Sequence, residues 1–147
     1  MAEKKKFLGG KKLKFMIVDD DPSVREIVVE ILKVNGQEIT EAIDGNACIR
    51  QISAKPNLIN IILLDIRMPG LLPKEMIKLI KSTSPKTYVI YLTSVKAYAP
   101  AEQDVKMGWT PELSLPVIGF IEKPVNATKL LNSIQEAIEK YAKNLIN

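Results

Sequence analysis

Five polar residues have types and positions that could do chemistry together: Asp19, Asp20, Asp65, Thr93 and Lys123. Each follows or closes a short apolar run. The runs are Leu13–Val18, Leu58–Leu64, Thr87–Leu92 and Val117–Ile121. Three carboxylates brought together would repel one another and raise each other's pKa unless a cation sat among them. A hard divalent ion such as Mg2+ takes oxygen ligands and suits a small carboxylate cluster completed by water and phosphate. A hydroxyl and a lysine facing such an ion can hold phosphoryl oxygens. One carboxylate of the set can act as a nucleophile and carry an acyl phosphate. Histidine is absent from the chain, which removes Ser-His-Asp and Cys-His triads, histidine zinc sites and any phosphohistidine on this chain.

The elements that must position these groups can be read from spacing. Short apolar runs bounded by polar residues read as buried strands. Between them lie stretches with apolar residues at helical spacing. Asp21-Pro22 offers an N-cap and a first-turn proline, and Val24, Ile27, Val28, Ile31 and Leu32 continue the helix to Asn35-Gly36. Gln37–Ala42 reads as a weak strand, and Asp44-Gly45 leads into a short helix over Ala47–Ile52. Pro73–Lys81 and Ala101–Met107 read as helices, the second closed by Gly108. Asn126 caps a last helix with Leu130, Leu131, Ile134, Ile138, Tyr141 and Leu145 on its inner stripe. Five strands alternating with five helices predict an α/β fold, a parallel sheet covered on both faces. In such a sheet, ligands bind beyond the carboxyl ends of the strands. The five polar residues are thereby expected to converge on one crevice.

The strings Ile17-Val18-Asp19-Asp20-Asp21-Pro22, Leu64-Asp65-Ile66-Arg67-Met68-Pro69-Gly70, Leu92-Thr93-Ser94 and Glu122-Lys123-Pro124 resemble the receiver domain of two-component response regulators. The resemblance covers residues 13–147, and its layout is similar to that of stand-alone chemotaxis regulators. It implies a flavodoxin-like, doubly wound sheet in the order 2-1-3-4-5. It also implies roles. Asp65 would be the phosphoacceptor, taking a phosphoryl group from a sensor histidine kinase or phosphotransfer protein. Asp20, Asp65 and the carbonyl of Arg67 would hold Mg2+ directly, with Asp19 acting through metal-bound water. Thr93 would bond a phosphoryl oxygen, Lys123 would pair with Asp65 and then with phosphate, and Phe120 would take the place of the switch aromatic. The Lys123-Pro124 peptide is expected to be cis, and Arg67 and Val95, flanking the attacking water, imply a long-lived phosphate.

Two departures stand out. Leu71-Leu72-Pro73-Lys74 follows Met68-Pro69-Gly70 where the family usually has Asp-Gly, and the segment Trp109–Pro116 is longer than the family pattern. That segment reads either as a tolerated surface loop or as part of the partner surface. Two other functions stay open. Asp19-x-Asp21 after the first strand resembles the nucleophile and acid of haloacid dehalogenase-type phosphatases, and the altered loop admits a receiver-like module that binds partners without phosphorylation.

Composition sets the remaining bounds. The chain has 147 residues, 46% of them hydrophobic, enough for one core, and no apolar run approaches the roughly 18 residues of a membrane span. The formal charge of +4 is local: residues 1–14 carry +5, and the rest carries −1. Residues 1–12 are therefore expected to be a flexible basic tail, and 13–147 the receiver domain. One cysteine, Cys48, fits a reducing cytoplasm. The expectation is a cytoplasmic single-domain phosphoprotein of a phosphorelay. It would not be an enzyme beyond self-phosphorylation and slow autodephosphorylation. It would signal to a downstream protein target without direct DNA binding or membrane insertion.

Overall fold

A computed structural model describes residues 6–68, 72–94 and 115–147. Five parallel strands, β1 (Lys14–Val18), β2 (Glu38–Ala42), β3 (Ile61–Asp65), β4 (Tyr88–Thr93) and β5 (Val117–Glu122), form one sheet in the order β2-β1-β3-β4-β5. The helices are α1 (Pro22–Val34), α2 (Gly45–Ala54), α3 (Pro73–Thr83) and α4 (Ala127–Tyr141). The expected helix at Ala101–Met107 lies outside the described residues, as do Val95 and Trp109–Ser114 of the long segment.

Strand residues alternate between two cores, as the pleat requires. Phe15, Ile17, Ile61, Leu63, Ile90 and Leu92 pack with Val28 and Leu32 of α1 and with Leu130, Ile134 and Ile138 of α4. Met16, Val18, Ile62, Leu64, Val89 and Tyr91 pack with Cys48 and Ile52 of α2 and with Met76 and Ile80 of α3. Because both faces are covered, β1, β3 and β4 read as unbroken apolar runs. The edge strand β2 reads Glu-Ile-Thr-Glu-Ala, and its two exposed glutamates discourage pairing with a further strand. The ladder between β4 and β5 is irregular at Val89/Ile90, which lets Ile118 and Ile121, three apart, enter the same core. Gly119 lies between them, and a Cβ there would come within 3.2 Å of the Ala137 methyl on α4. The bare glycine thus sets how closely the last helix approaches the sheet.

Helix starts follow their caps. Asp21, Asp44 and Asn126 each accept a backbone N–H of the first turn, from Ser23, Ala47 and Lys129 respectively. β3 begins three residues later than its apolar run suggests. Asn57 adopts a left-handed φ of 65°, and the Asn60 side chain accepts from Lys14 N. Leu58 and Ile59 are thereby spent on the turn before the strand.

The N-terminal expectation needs correction. Residues 1–5 lie outside the described set, but Phe7–Gly10 form a short 3-10 turn, and Leu8 is fully buried against α4's side of the core. Leu8 N donates to Gln135 Oε1 at 2.7 Å. Leu8 takes a left-handed φ of 54°, which costs about 1–2 kcal/mol for a residue with a Cβ. Burying a leucine side chain returns about 1.5–3 kcal/mol, so packing outweighs the strain. The lysines on both sides hid this anchor in a charge count.

Two outcomes follow. Leu8→Ala should destabilise the protein by about 2–5 kcal/mol in urea unfolding, whereas a truly free tail would give no change. Cys48 is buried, and desolvation pushes its thiol up to about 12 from 9.0. In the native protein it should resist a thiol reagent at pH 8 and react fully in denaturant. The unfolded thiol ionises at its ordinary pKa and the folded one does not. Stability should therefore fall as pH rises from about 9 toward about 12, and Cys48→Ala should remove that part of the loss.

Candidate functional site

The strand order reverses between β1 and β3, and the crevice of an open α/β sheet lies beyond the carboxyl ends of the strands at that reversal. Asp19 and Asp20 follow β1, Asp65 is the last residue of β3, Thr93 is the last of β4, and Lys123 follows β5. In-register pairing aligns these ends: Val18 with Leu64, Asp65 with Leu92, and Thr93 with Glu122. Residues scattered over more than 100 positions of sequence thus share one rim.

Lys123 joins three strands there. Its Nζ lies 2.9 Å from Asp19 Oδ2 and 3.5 Å from Asp65 Oδ2. Lys123 N donates to Thr93 O at 2.7 Å, which ties the lysine backbone to the end of β4; the Lys123-Pro124 peptide is cis, as expected. Asp19 is completely buried and Asp65 nearly so, while Asp20 is exposed. Burial pushes the Asp19 carboxyl up; the Lys123 ammonium and the Asp21 N–H pull against that, and the charge on Asp65 adds to the rise. Burial works to lower the Lys123 pKa, but the two carboxylates win and raise it.

Asp19 is held on all sides. Its N–H donates to Ala42 O at 3.2 Å, its Oδ1 accepts from Asp21 N at 2.9 Å, and its carbonyl accepts from Arg25 Nη1 at 2.8 Å. Oδ2 has the lysine as its ion-pair partner but no hydrogen bond of good geometry among the described residues. Asp65 Oδ1 accepts from Arg67 N at 3.0 Å, which folds the chain back over the end of β3. The Thr93 hydroxyl makes no hydrogen bond among the described residues. One oxygen from each of Asp19, Asp20 and Asp65 lies within 4.8 Å of the others. At that separation two unit charges repel by about 3–4 kcal/mol at an effective dielectric near 20.

Among the described residues, one ammonium beside three carboxylates leaves two negative charges in excess when all are ionised. That excess, the all-oxygen donor set and the poorly bonded Asp19 Oδ2 fit a hard divalent cation such as Mg2+. Among the described residues, Asp19, Asp20, Asp65, Arg67, Thr93 and Lys123 fall in this region, and Phe120 does not. It lies on β5 opposite Tyr91 of β4, with ring centroids 6.1 Å apart and planes inclined by 28°. Arg25 is the residue that sequence reasoning missed. The apolar spacing of its helix gave it no distinction, and no local pattern marks a side chain that reaches back to a carbonyl six residues earlier.

The family described as "Response regulator receiver domain" matches residues 15–135. The nitrogen assimilation regulatory protein NtrX of Azorhizobium caulinodans is 32% identical over 127 residues, which cover 84% of this chain and 26% of that protein. The chain therefore spans about a quarter of the length of that relative. Among solved structures, a CheY-like receiver domain protein from Methanospirillum hungatei is 25% identical with a TM-score of 0.72, covering 91% of this chain and 99% of that one. A receiver domain protein from Clostridium thermocellum has the same fold at a TM-score of 0.71 and 24% identity, covering 92% and 99%. With the aligned strand ends, the acidic cluster and its lysine in place, this chain belongs to the response regulator receiver domain family, whose members signal by phosphorylation.

Proposed function

We propose that the chain accepts a phosphoryl group on Asp65 from a phosphohistidine of a sensor kinase or phosphotransfer protein. The observation that carries this reading is the placement of Asp65. It lies at the end of the central strand β3, with Lys123 Nζ at 3.5 Å and two further aspartates around it. An Asp65 carboxylate oxygen attacks phosphorus. A P–O bond forms, the P–N bond breaks, and its electron pair goes to the imidazole nitrogen, which takes a proton from water. Asp20, Asp65 and the Arg67 carbonyl would hold Mg2+. When bound, the ion screens the incoming phosphoryl charge from the carboxylates.

The chain's own groups do the rest. Asp19, locked by four contacts, orients the rim rather than attacking. That argues against the phosphatase reading, which needs Asp19 free as a nucleophile. Lys123 leaves Asp65 and pairs with a phosphoryl oxygen. Thr93 turns its unengaged hydroxyl to another. Movement at Thr93 is passed through the neighbouring Tyr91–Phe120 pair to the surface of β5, and output is by contact with a downstream protein. Residues Arg67 and Val95 give the attacking water little help, which makes the acyl phosphate long-lived.

Two measurements test this. Incubation with acetyl phosphate and Mg2+ should add one phosphoryl mass to the intact protein. Asp65→Asn or full EDTA chelation should abolish the adduct, while Asp19→Asn should reduce it without moving it to another residue. An adduct on Asp65→Asn, or one that survives chelation, refutes the mechanism. In the metal-free protein, Asp20→Asn relieves repulsion in the cluster. The variant should unfold at a higher urea concentration than wild type and lose the further stabilisation that Mg2+ gives wild type.

A further inference from the structure

Arg25 stands on the second turn of α1, where its backbone N–H donates to Asp21 O at 3.2 Å. Its side chain runs back toward the start of the helix, the direction helical side chains favour. There the guanidinium splits between two acceptors. Nη1 donates to the main-chain carbonyl of Asp19 at 2.8 Å, and Nε donates to Glu41 Oε1 at 3.2 Å. Only 16% of the arginine side chain is exposed, against 50% of that of Glu41. Glu41 is itself anchored from the other side, because its carbonyl accepts from Gln51 Nε2 of α2 at 2.8 Å. One residue further, Ala42 O receives the N–H of Asp19.

From this chain of contacts we infer that Arg25, braced by Glu41, is a positioning residue for the cation site. It fixes the peptide that joins Asp19 to Asp20 and so sets where both carboxylates stand. The inference rests on the reading of the acidic cluster as a divalent-cation site. The backbone of Asp19 is held on both sides: Ala42 O accepts its N–H, in the peptide before it, and Arg25 donates to its carbonyl, in the peptide that joins it to Asp20. Asp20 is exposed and, among the described residues, has no other tether to the sheet than this peptide and the Asp21 turn. Without the guanidinium, the Asp19 carbonyl loses its donor and the Asp19-Asp20 peptide can rotate.

Two physical effects oppose each other. Arg25 is a positive charge near a cation site, so removing it alone would favour Mg2+. But the arginine is paired with Glu41, and a paired charge contributes little field beyond its partner. Geometry is therefore the larger effect. The two effects also separate by chemistry. Lysine keeps the charge but lacks the planar fork that reaches two acceptors in fixed directions.

The test is Mg2+ binding to the unphosphorylated full chain, followed by isothermal titration calorimetry, with urea unfolding of the same samples. Arg25→Lys and Arg25→Ala should both weaken Mg2+ binding by roughly tenfold or more, since each misplaces ligands without removing them. Glu41→Gln keeps an acceptor for Nε and should bind nearly as wild type. Glu41→Ala should weaken binding, and adding it to Arg25→Ala should weaken binding no further. A lowered urea midpoint with unchanged Mg2+ affinity overturns the inference and leaves Arg25 a purely structural residue. Full rescue by lysine overturns it in favour of charge alone. If wild type binds no Mg2+, the reading of the cluster fails and takes this inference with it. If wild type binds Mg2+ and every Arg25 variant does too with equal affinity, only the inference fails.

Discussion

The placement of one ammonium between two buried carboxylates governs the rest of the site. Lys123 reaches Asp19 and Asp65 from the far edge of the sheet, and each partner ends a different central strand. A buried carboxylate without such a partner costs several kcal/mol, so the three strand ends cannot drift apart cheaply. The arrangement is nonetheless incomplete as electrostatics, because a third carboxylate adds charge that the lysine does not balance. The fold thus holds the cluster together while leaving it short of positive charge. Such a site answers to the arrival of a cation or to the redistribution of charge on a carboxylate.

The hydrophobic architecture makes that tension affordable. Two continuous cores, one on each face, bury the central strands β1, β3 and β4 over most of their length. Charged groups are expelled to the strand ends, where the apolar contacts stop. The cores also anchor the rim: Val18, Leu64 and Leu92, each immediately before a site residue, are completely or almost completely buried.

Much of this was legible in the sequence, for physical reasons. Doubly covered strands give apolar runs, capped helices give Asp-Pro and Asn signals, and a parallel sheet brings strand ends to one rim. Asp19, Asp20, Asp65, Thr93 and Lys123 could therefore be named together from position alone. What was not legible depends on side chains acting at a distance from their own pattern. Leu8 sits among lysines and glycines, so local composition argued for a solvated tail, and only its contact with α4 reveals an anchor. Arg25 lies within a periodic helix whose apolar spacing was the stronger signal. The start of β3 moved because the Asn57 and Asn60 side chains accept from the backbone N–H groups of Lys86 and Lys14 on adjoining segments, contacts that hydropathy does not register.

Anchoring Leu8 also changes how the molecule looks from far away. Lysines held next to a docked turn are no longer averaged over a wide volume. Lys12 and Lys14 stay near the amino end of β1, each within 4 Å of Glu38, while Asp19 and Asp20 stand at its carboxyl end. Two lysines on one glutamate leave a net positive charge at one end, three aspartates around one lysine leave a net negative charge at the other, and a strand of five residues holds them about 16 Å apart along one axis. That is an electric dipole built into the fold, running roughly along the strands. At physiological salt the field decays over about 8 Å, so it turns only a partner already close to the surface. In dilute salt its reach lengthens, and a charged partner would be rotated into register before any contact is made.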